Sequence, residues 1–221
     1  MTITDAPVYA RSLARLLGAG LIGTVTHVSC VDRRARVGAS PAQAGPGYVQ
    51  LLAYGADHLA WLRELLAVDP VRVMARCAQL PWRSEGLGDL TEAFLEMASG
   101  VHVQYHGSLA SLRDHHELWI DGERGALRTN GRLVWFRRTG WLRFVPVAGS
   151  PRRWTDDPSV AAVKAADRRR RLDAFNPEET AGGDDRWPLA IAEAVIRADR
   201  SGRPVAVTEP SKVATAIGAS A

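Results

Sequence analysis

With two cysteines in 221 residues and no CxxC pair, the chain has neither a disulfide framework nor a thiolate metal site. Cys30 and Cys77 each lie in an apolar, strand-like run, which predicts reduced core thiols. Lysine is nearly absent: Lys164 and Lys212 are the only two, so arginine carries the net charge of +4. The one dense basic run, Arg168 to Arg171, would point around the whole circumference of a helix, which describes a solvated surface and not a phosphate-binding patch. Nucleic acid is therefore not an expected partner. No uninterrupted apolar run is long enough to cross a bilayer, and the first residues hold no apolar core of signal-peptide length. The expectation is a cytoplasmic protein with no membrane partner.

Against these absences stands an apolar fraction of 46%, enough at this length for one well-filled core. The stretch Leu16-Leu17-Gly18-Ala19-Gly20-Leu21-Ile22-Gly23 carries the GxGxxG spacing of a dinucleotide-binding loop, but in reversed context. Such a loop needs a strand running into the glycines and a helix leaving them, so that the helix N-terminus meets the pyrophosphate. Here Val8, Leu13, Leu16 and Leu17 recur at helical spacing before the glycines, and Thr24 to Val31 is a β-branched run after them. Gly18 and Gly20 read as a helix stop and Gly23 as the turn into a strand. No cofactor-binding residue follows from this motif.

Residues 1–7 read as a short N-terminal arm. Pro7 opens a helix to about Ala19, a strand follows from Thr24 to about Arg34, and Gly47 to Leu66 is a second helix with an apolar stripe. Strands are expected at Val71 to Cys77, Thr91 to Met97, Val101 to Leu109, Glu117 to Ile120, Ala126 to Thr129, Leu133 to Arg137 and Trp141 to Val147. Asn130-Gly131 reads as a type I′ hairpin turn with positive φ at both positions. The fold class is α+β: a large, mainly antiparallel open sheet over residues 8–150, packed against helices. Residues 151–221 read as a helical segment packing on the same domain, with helices at Val160 to Phe175, Trp187 to Arg200 and Pro210 to Ala219.

His58 lies on or beside the buried stripe of the second helix with Asp57 next to it, and these two are the acid/base candidates. Tyr54, Tyr105 and Arg34 are the candidate substrate-binding residues. His102 and His106 point the same way along one strand, but four residues separate their side chains by roughly 13 Å, too far to share one zinc ion. His115 and His116 could approach from a neighbouring strand; the expectation remains that there is no metal site. The aromatics Trp119, Trp135, Phe136, Trp141 and Phe144 are too many for one face, so the sheet is expected to carry a second, sticky face that favours self-association.

Four motifs in order carry a resemblance: the helix-ending turn at Gly18 to Val28, the helix Gly47 to Leu66 with its HLxxLRxLL run, the strand pair Glu117 to Leu127, and the closing AxxxIRxxRSGRPVxVTE-like segment at Ala192 to Glu209. Together they resemble the C-terminal domain of the Gfo/Idh/MocA oxidoreductases. The resemblance implies an α+β domain whose open sheet binds substrate and mediates oligomerisation. It also implies an N-terminal Rossmann domain holding NAD(P), with a catalytic lysine in a Glu-Lys-Pro motif, neither of which this sequence shows. The family's helix pattern, D-x-G-x-H-x-x-D, is eroded. Anchored on Gly55 it places Ala53, Asp57 and Ala60 at the other positions; shifted by one residue it restores His58 but places Tyr54 and Ala56 at the first aspartate and the glycine.

Two functional readings follow. One is a Rossmann-less, non-catalytic accessory subunit that pairs through its sheet with a full-length NAD(P)-dependent oxidoreductase of the family, or forms a homo-oligomer. NAD(P) would then come only from the partner, with no cofactor on this chain alone. The alternative is a cofactor-independent isomerase, lyase or cyclase of a biosynthetic pathway that reuses the substrate pocket. A small-molecule ligand is expected in either case.

Overall fold

The computed structural model describes residues 8–35, 48–79, 89–147 and 187–210. The N-terminal arm, the loop after Ala35, the turn at Gly86, the helices expected at Val160 to Phe175 and at Pro210 to Ala219, and the Arg168 to Arg171 run lie outside the described residues.

Helix α1 (Val8–Gly18) buries Ala10 and Leu13 and stops where the glycines begin. Gly20 takes φ 65°, and the amides of Gly20 and Leu21 bond back to the carbonyls of Leu17 and Leu16 at 2.8 and 3.2 Å. This is a Schellman cap, which needs a left-handed residue at its turn. Gly23, with φ 73°, then turns the chain into strand β1 (Val25–Ala35). The helix-glycine-strand order expected from the sequence is what the chain adopts.

After β1 come a π-helical turn (Leu51–Gly55), helix α2 (Ala56–Leu66), and strands β2 (Pro70–Ala78), β3 (Leu90–Met97), β4 (His102–Ser111), β5 (His115–Gly122), β6 (Gly125–Thr129), β7 (Val134–Arg138) and β8 (Val145–Pro146). Helix α3 (Trp187–Ser201) and the short strand β9 (Val205–Ala206) close the described chain. All nine strands form one sheet in the order β8-β7-β6-β5-β1-β4-β3-β2-β9. Among the described strands only β1 and β4 pair in parallel, and the other neighbours are antiparallel. The open, mainly antiparallel sheet with helices is the α+β class expected from the sequence.

Side-chain alternation gives the sheet two unlike faces. One cross-strand row runs Val73, Leu95, Val103, Val28, Ile120, Leu127 across six strands, every member at most 2% exposed. Helices α1, α2 and α3 cover this face through Leu13, Leu59, Leu62, Ile191 and Val195. Each such side chain contributes about 1.5–3 kcal/mol by leaving water. The adjacent row, Met74, Phe94, Gln104, Ser29, Trp119, Arg128, Trp135, lies on the opposite face, where Met74 and Phe94 are exposed. The aromatic part of that face is interleaved with arginine: Arg128 stands 5.0 Å from the Trp119 ring and Arg137 4.9 Å from that of Phe144.

Three local expectations are corrected. The Asn130-Gly131 turn is not type I′: only Gly131 has positive φ, 83°. Asn130 instead accepts the amides of Arg132 and Leu133 on its side-chain oxygen, an Asx turn that needs no left-handed asparagine. The strand expected over Trp141 to Val147 reduces to Val145–Pro146. Strand β9 was not expected, because two residues are too few to show a period; it forms by pairing with Arg72 and Val73 at the edge.

Candidate functional site

The alternation that buries Val28 and Cys30 on β1 also turns Asp32 inward, where it is fully buried. A carboxylate in that position has to be met by partners of opposite charge. Arg34 Nε donates to Asp32 Oδ2 at 2.9 Å, His58 Nδ1 lies 3.6 Å from Oδ2, and His116 Nδ1 lies 3.5 Å from Oδ1. Each partner arrives by a different route. Arg34 is two residues along the same strand, His116 is the cross-strand neighbour of Asp32 on β5, and His58 comes down from α2. Burial alone would raise the Asp32 pKa, but His116, His58 and Arg34 outweigh it and hold the carboxyl below the usual carboxylate range.

Beneath His58 lies Tyr105, whose ring is fully buried on β4. Its hydroxyl accepts the Gln50 amide at 2.9 Å and stands 3.4 Å from His58 Nδ1. Burial, with Asp32 nearby, pushes the phenol pKa well up, so Tyr105 stays protonated and can donate. Gln50 reaches Tyr105 over Gly107, where a side chain would overlap its amide. The Arg34 guanidinium lies 5.4 Å from the Tyr54 ring centroid, and Tyr9 packs its ring 5.7 Å from that of His116. His58, Arg34 and His116 have side chains partly open, 21%, 33% and 14%, above a buried floor of Asp32 and Tyr105.

The helix that delivers His58 is entered through an irregular turn. Between Leu51 and Gly55 the backbone makes a π turn, closed by the Ala56 amide on the Leu51 carbonyl. A π turn takes in one more residue than an α turn and rotates everything after it. Gly55 is the last residue of that turn and His58 lies in the α-helix after it.

Four of the residues singled out by sequence, His58, Tyr105, Arg34 and Tyr54, therefore come together around Asp32. Asp57, one residue before His58 in α2, is offset from it by about 100° around the helix. His102 and His106 lie on the other face, His102 stacked on Phe94 at 5.4 Å and His106 3.4 Å from Glu92. Sequence reasoning missed Asp32 and Gln50, and named His116 only as a histidine that could approach from a neighbouring strand. The period-two pattern Val28, Cys30, Asp32 was the available signal for the first; His116 needed the strand register and Gln50 the π turn.

Among the described residues one set of potential metal ligands converges: one donor atom each from Asp32, His58 and His116, all within 4.8 Å of one another. No described helix is long and apolar enough to cross a membrane.

The fold is shared with solved oxidoreductases. An oxidoreductase from Agrobacterium radiobacter in complex with NAD+, L-tartaric acid and magnesium superposes with a TM-score of 0.67 at 20% identity, over 90% of this chain and 61% of that one. Levoglucosan dehydrogenase in complex with NADH and L-sorbose gives 0.67 at 13% identity, over 91% and 63%. Aldose-aldose oxidoreductase from Caulobacter crescentus complexed with glycerol gives 0.61 at 20% identity, over 90% and 60%. This chain thus spans less than two thirds of the length of these structures. No curated protein sequence matches it significantly. The model of the GFO/IDH/MocA C-terminal domain matches residues 10–128, more than half of the chain, from α1 through the whole Asp32 cluster into β6. The chain belongs to the GFO/IDH/MocA C-terminal domain family.

Proposed function

We propose that this chain supplies the substrate-binding and proton-transfer half of an NAD(P)-dependent oxidation of a polyhydroxylated small molecule. The observation that carries this reading is the placement of half-open His58 over buried Asp32 and Tyr105. Oxidation of an alcohol sends a hydride from carbon to the nicotinamide and a proton from oxygen to a base. His58 is the base, Asp32 stabilises the imidazolium that forms, and Arg34 with Tyr54 holds a substrate hydroxyl or carboxylate at the rim. The nicotinamide comes from a Rossmann-type module, on the same polypeptide or on a partner engaged through the sheet. An accessory subunit is the form of this reading in which the module is a separate chain, and the Asp32 cluster supports one that contributes chemistry. The substrate class follows the sugars, polyols and hydroxy acids named with the solved relatives.

The test is to isolate the complex from its native extract, weigh it by native mass spectrometry, and assay NAD(P)H formation on a panel of aldoses, polyols and hydroxy acids in the presence of chelator. Activity that drops about 10²–10⁴-fold in His58→Ala supports the reading. Full activity in that variant overturns it.

A second reading has one observation in its favour: the acid/base groups Asp32, His58 and Tyr105 all lie in this domain and need no nicotinamide to move a proton. A cofactor-independent isomerase, lyase or cyclase would use them directly. Solvent-deuterium incorporation into a sugar or hydroxy acid without nicotinamide selects this reading over the first.

A further inference from the structure

The spacing of the Asp32 cluster is not that of a hydrogen-bonded histidine-carboxylate pair. Charge-assisted N–H···O bonds close to about 2.7–2.9 Å, yet His58 Nδ1 and His116 Nδ1 stand off by 3.6 and 3.5 Å from the two oxygens of one carboxylate. With one donor atom taken from each residue, the three groups lie within 4.8 Å of one another, a spacing that a metal coordination shell could draw together instead. Two donors bound tetrahedrally at about 2.0–2.1 Å lie roughly 3.3 Å apart. Asp32 Oδ1 is buried with no hydrogen-bond partner, an uncommon condition for a polar atom in a core. Arg34, bonded to Oδ2 at 2.9 Å, makes the outer contact that metal-bound carboxylates ordinarily carry.

We propose that Asp32, His58 and His116 form a binding site for one divalent transition-metal ion of the zinc type. Two imidazoles and one carboxylate suit zinc or cobalt(II) better than magnesium or calcium, which prefer oxygen ligands. Three protein ligands leave a coordination position for water or for a hydroxyl or carboxylate of a small molecule. The site does not rest on the oxidoreductase reading. The two compete, because an imidazole bound through Nδ1 keeps only an Nε2–H, a donor and no longer a base. Loading the ion therefore suppresses a reaction in which His58 accepts the proton.

The test is titration of the chelator-stripped protein with cobalt(II) and zinc, followed by calorimetry and by the visible absorption of bound cobalt. The expected result is one ion per chain, with His116→Ala and Asp32→Asn each weakening binding about a hundredfold or more, and His115→Ala and His106→Ala leaving it unchanged. Circular dichroism of each variant checks the fold, and His116→Gln supplies a second, milder loss of the same ligand. Absence of stoichiometric binding overturns the proposal, as does binding that survives His116→Ala but disappears with His106 or His115. Turnover assayed in chelator is independent of these outcomes, so failure of the metal site and failure of the proton-transfer reading are separately visible.

Discussion

The side chain of Gln50 lies directly over Gly107, so close that a methyl group at position 107 would overlap its amide. That approach lets Gln50 donate to the buried Tyr105 hydroxyl at 2.9 Å. Gly107 is also the strand neighbour of Asp32, so an absent side chain on β4 makes room for the polar cluster on the core face. Gly107→Ala is expected to displace Gln50 and strip Tyr105 of that bond. Overpacking of this kind costs about 1–3 kcal/mol, or roughly 2–12 °C of Tm for a domain of this size, readable by thermal unfolding.

His58 and Tyr105 share one polar contact, 3.4 Å between Nδ1 and the hydroxyl. Under the proton-transfer reading, Tyr105→Phe keeps the ring packing and removes only the hydroxyl. Its expected effect is a loss in kcat of about tenfold to a hundredfold, smaller than for His58→Ala. A larger loss in Tyr105→Phe than in His58→Ala would show that Tyr105, not His58, handles the proton.

Ala67 ends helix α2 in a left-handed conformation, φ 52°, with its amide bonded to the Glu64 carbonyl at 3.2 Å and that of Val68 to the Arg63 carbonyl at 3.3 Å. This is the same cap that Gly20 gives α1, but with a Cβ in place. Left-handed backbone costs a residue with a Cβ about 1–2 kcal/mol, so Ala67→Gly is expected to stabilise the domain by up to about 1 kcal/mol after its own unfolded-state entropy is counted. Urea titration should move the midpoint up with an unchanged slope. A lower midpoint would refute the strain.

Burial pushes the Cys77 thiol up to about 11, partly offset by its contact with Thr91 and reinforced by Asp199. A free thiol titrates near 8.5. Iodoacetamide at pH 8 should therefore modify Cys77 far more slowly in the folded protein than in urea, with the folded rate rising steeply toward pH 11. The folded pKa is the higher one, so its stabilising contribution is complete below the unfolded value and is lost as pH rises through the folded value. Equal rates in the two states would contradict the shift.

The Asp199 carboxylate accepts the Cys77 amide at 2.8 Å and the Tyr48 hydroxyl at 3.0 Å, tying α3 both to strand β2 and to the entry of the π turn. Asp199→Ala leaves a half-buried amide without its acceptor and is expected to cost about 1–3 kcal/mol. Hydrogen exchange at Cys77 should accelerate in that variant, while exchange in β6 and β7 stays unchanged.

What the sequence determined by itself is local. Apolar spacing set the helices around Leu13, Leu59 and Val195, alternation set the two faces of β4, and glycine position set the cap of α1, because each depends on residues a few places apart. Alternation put Tyr105 on the strand face opposite His102 and His106, and helical spacing put His58 on or beside the buried stripe of its helix. Tertiary structure decided which strands are neighbours and in what register. The parallel pairing of β1 with β4 and the antiparallel pairing with β5 put Asp32 between Gly107 and His116, and the π turn rotated His58 toward it. A two-residue period says which way a side chain faces but carries nothing about what lies beside it. The site therefore stayed in scattered pieces until the sheet closed around Asp32.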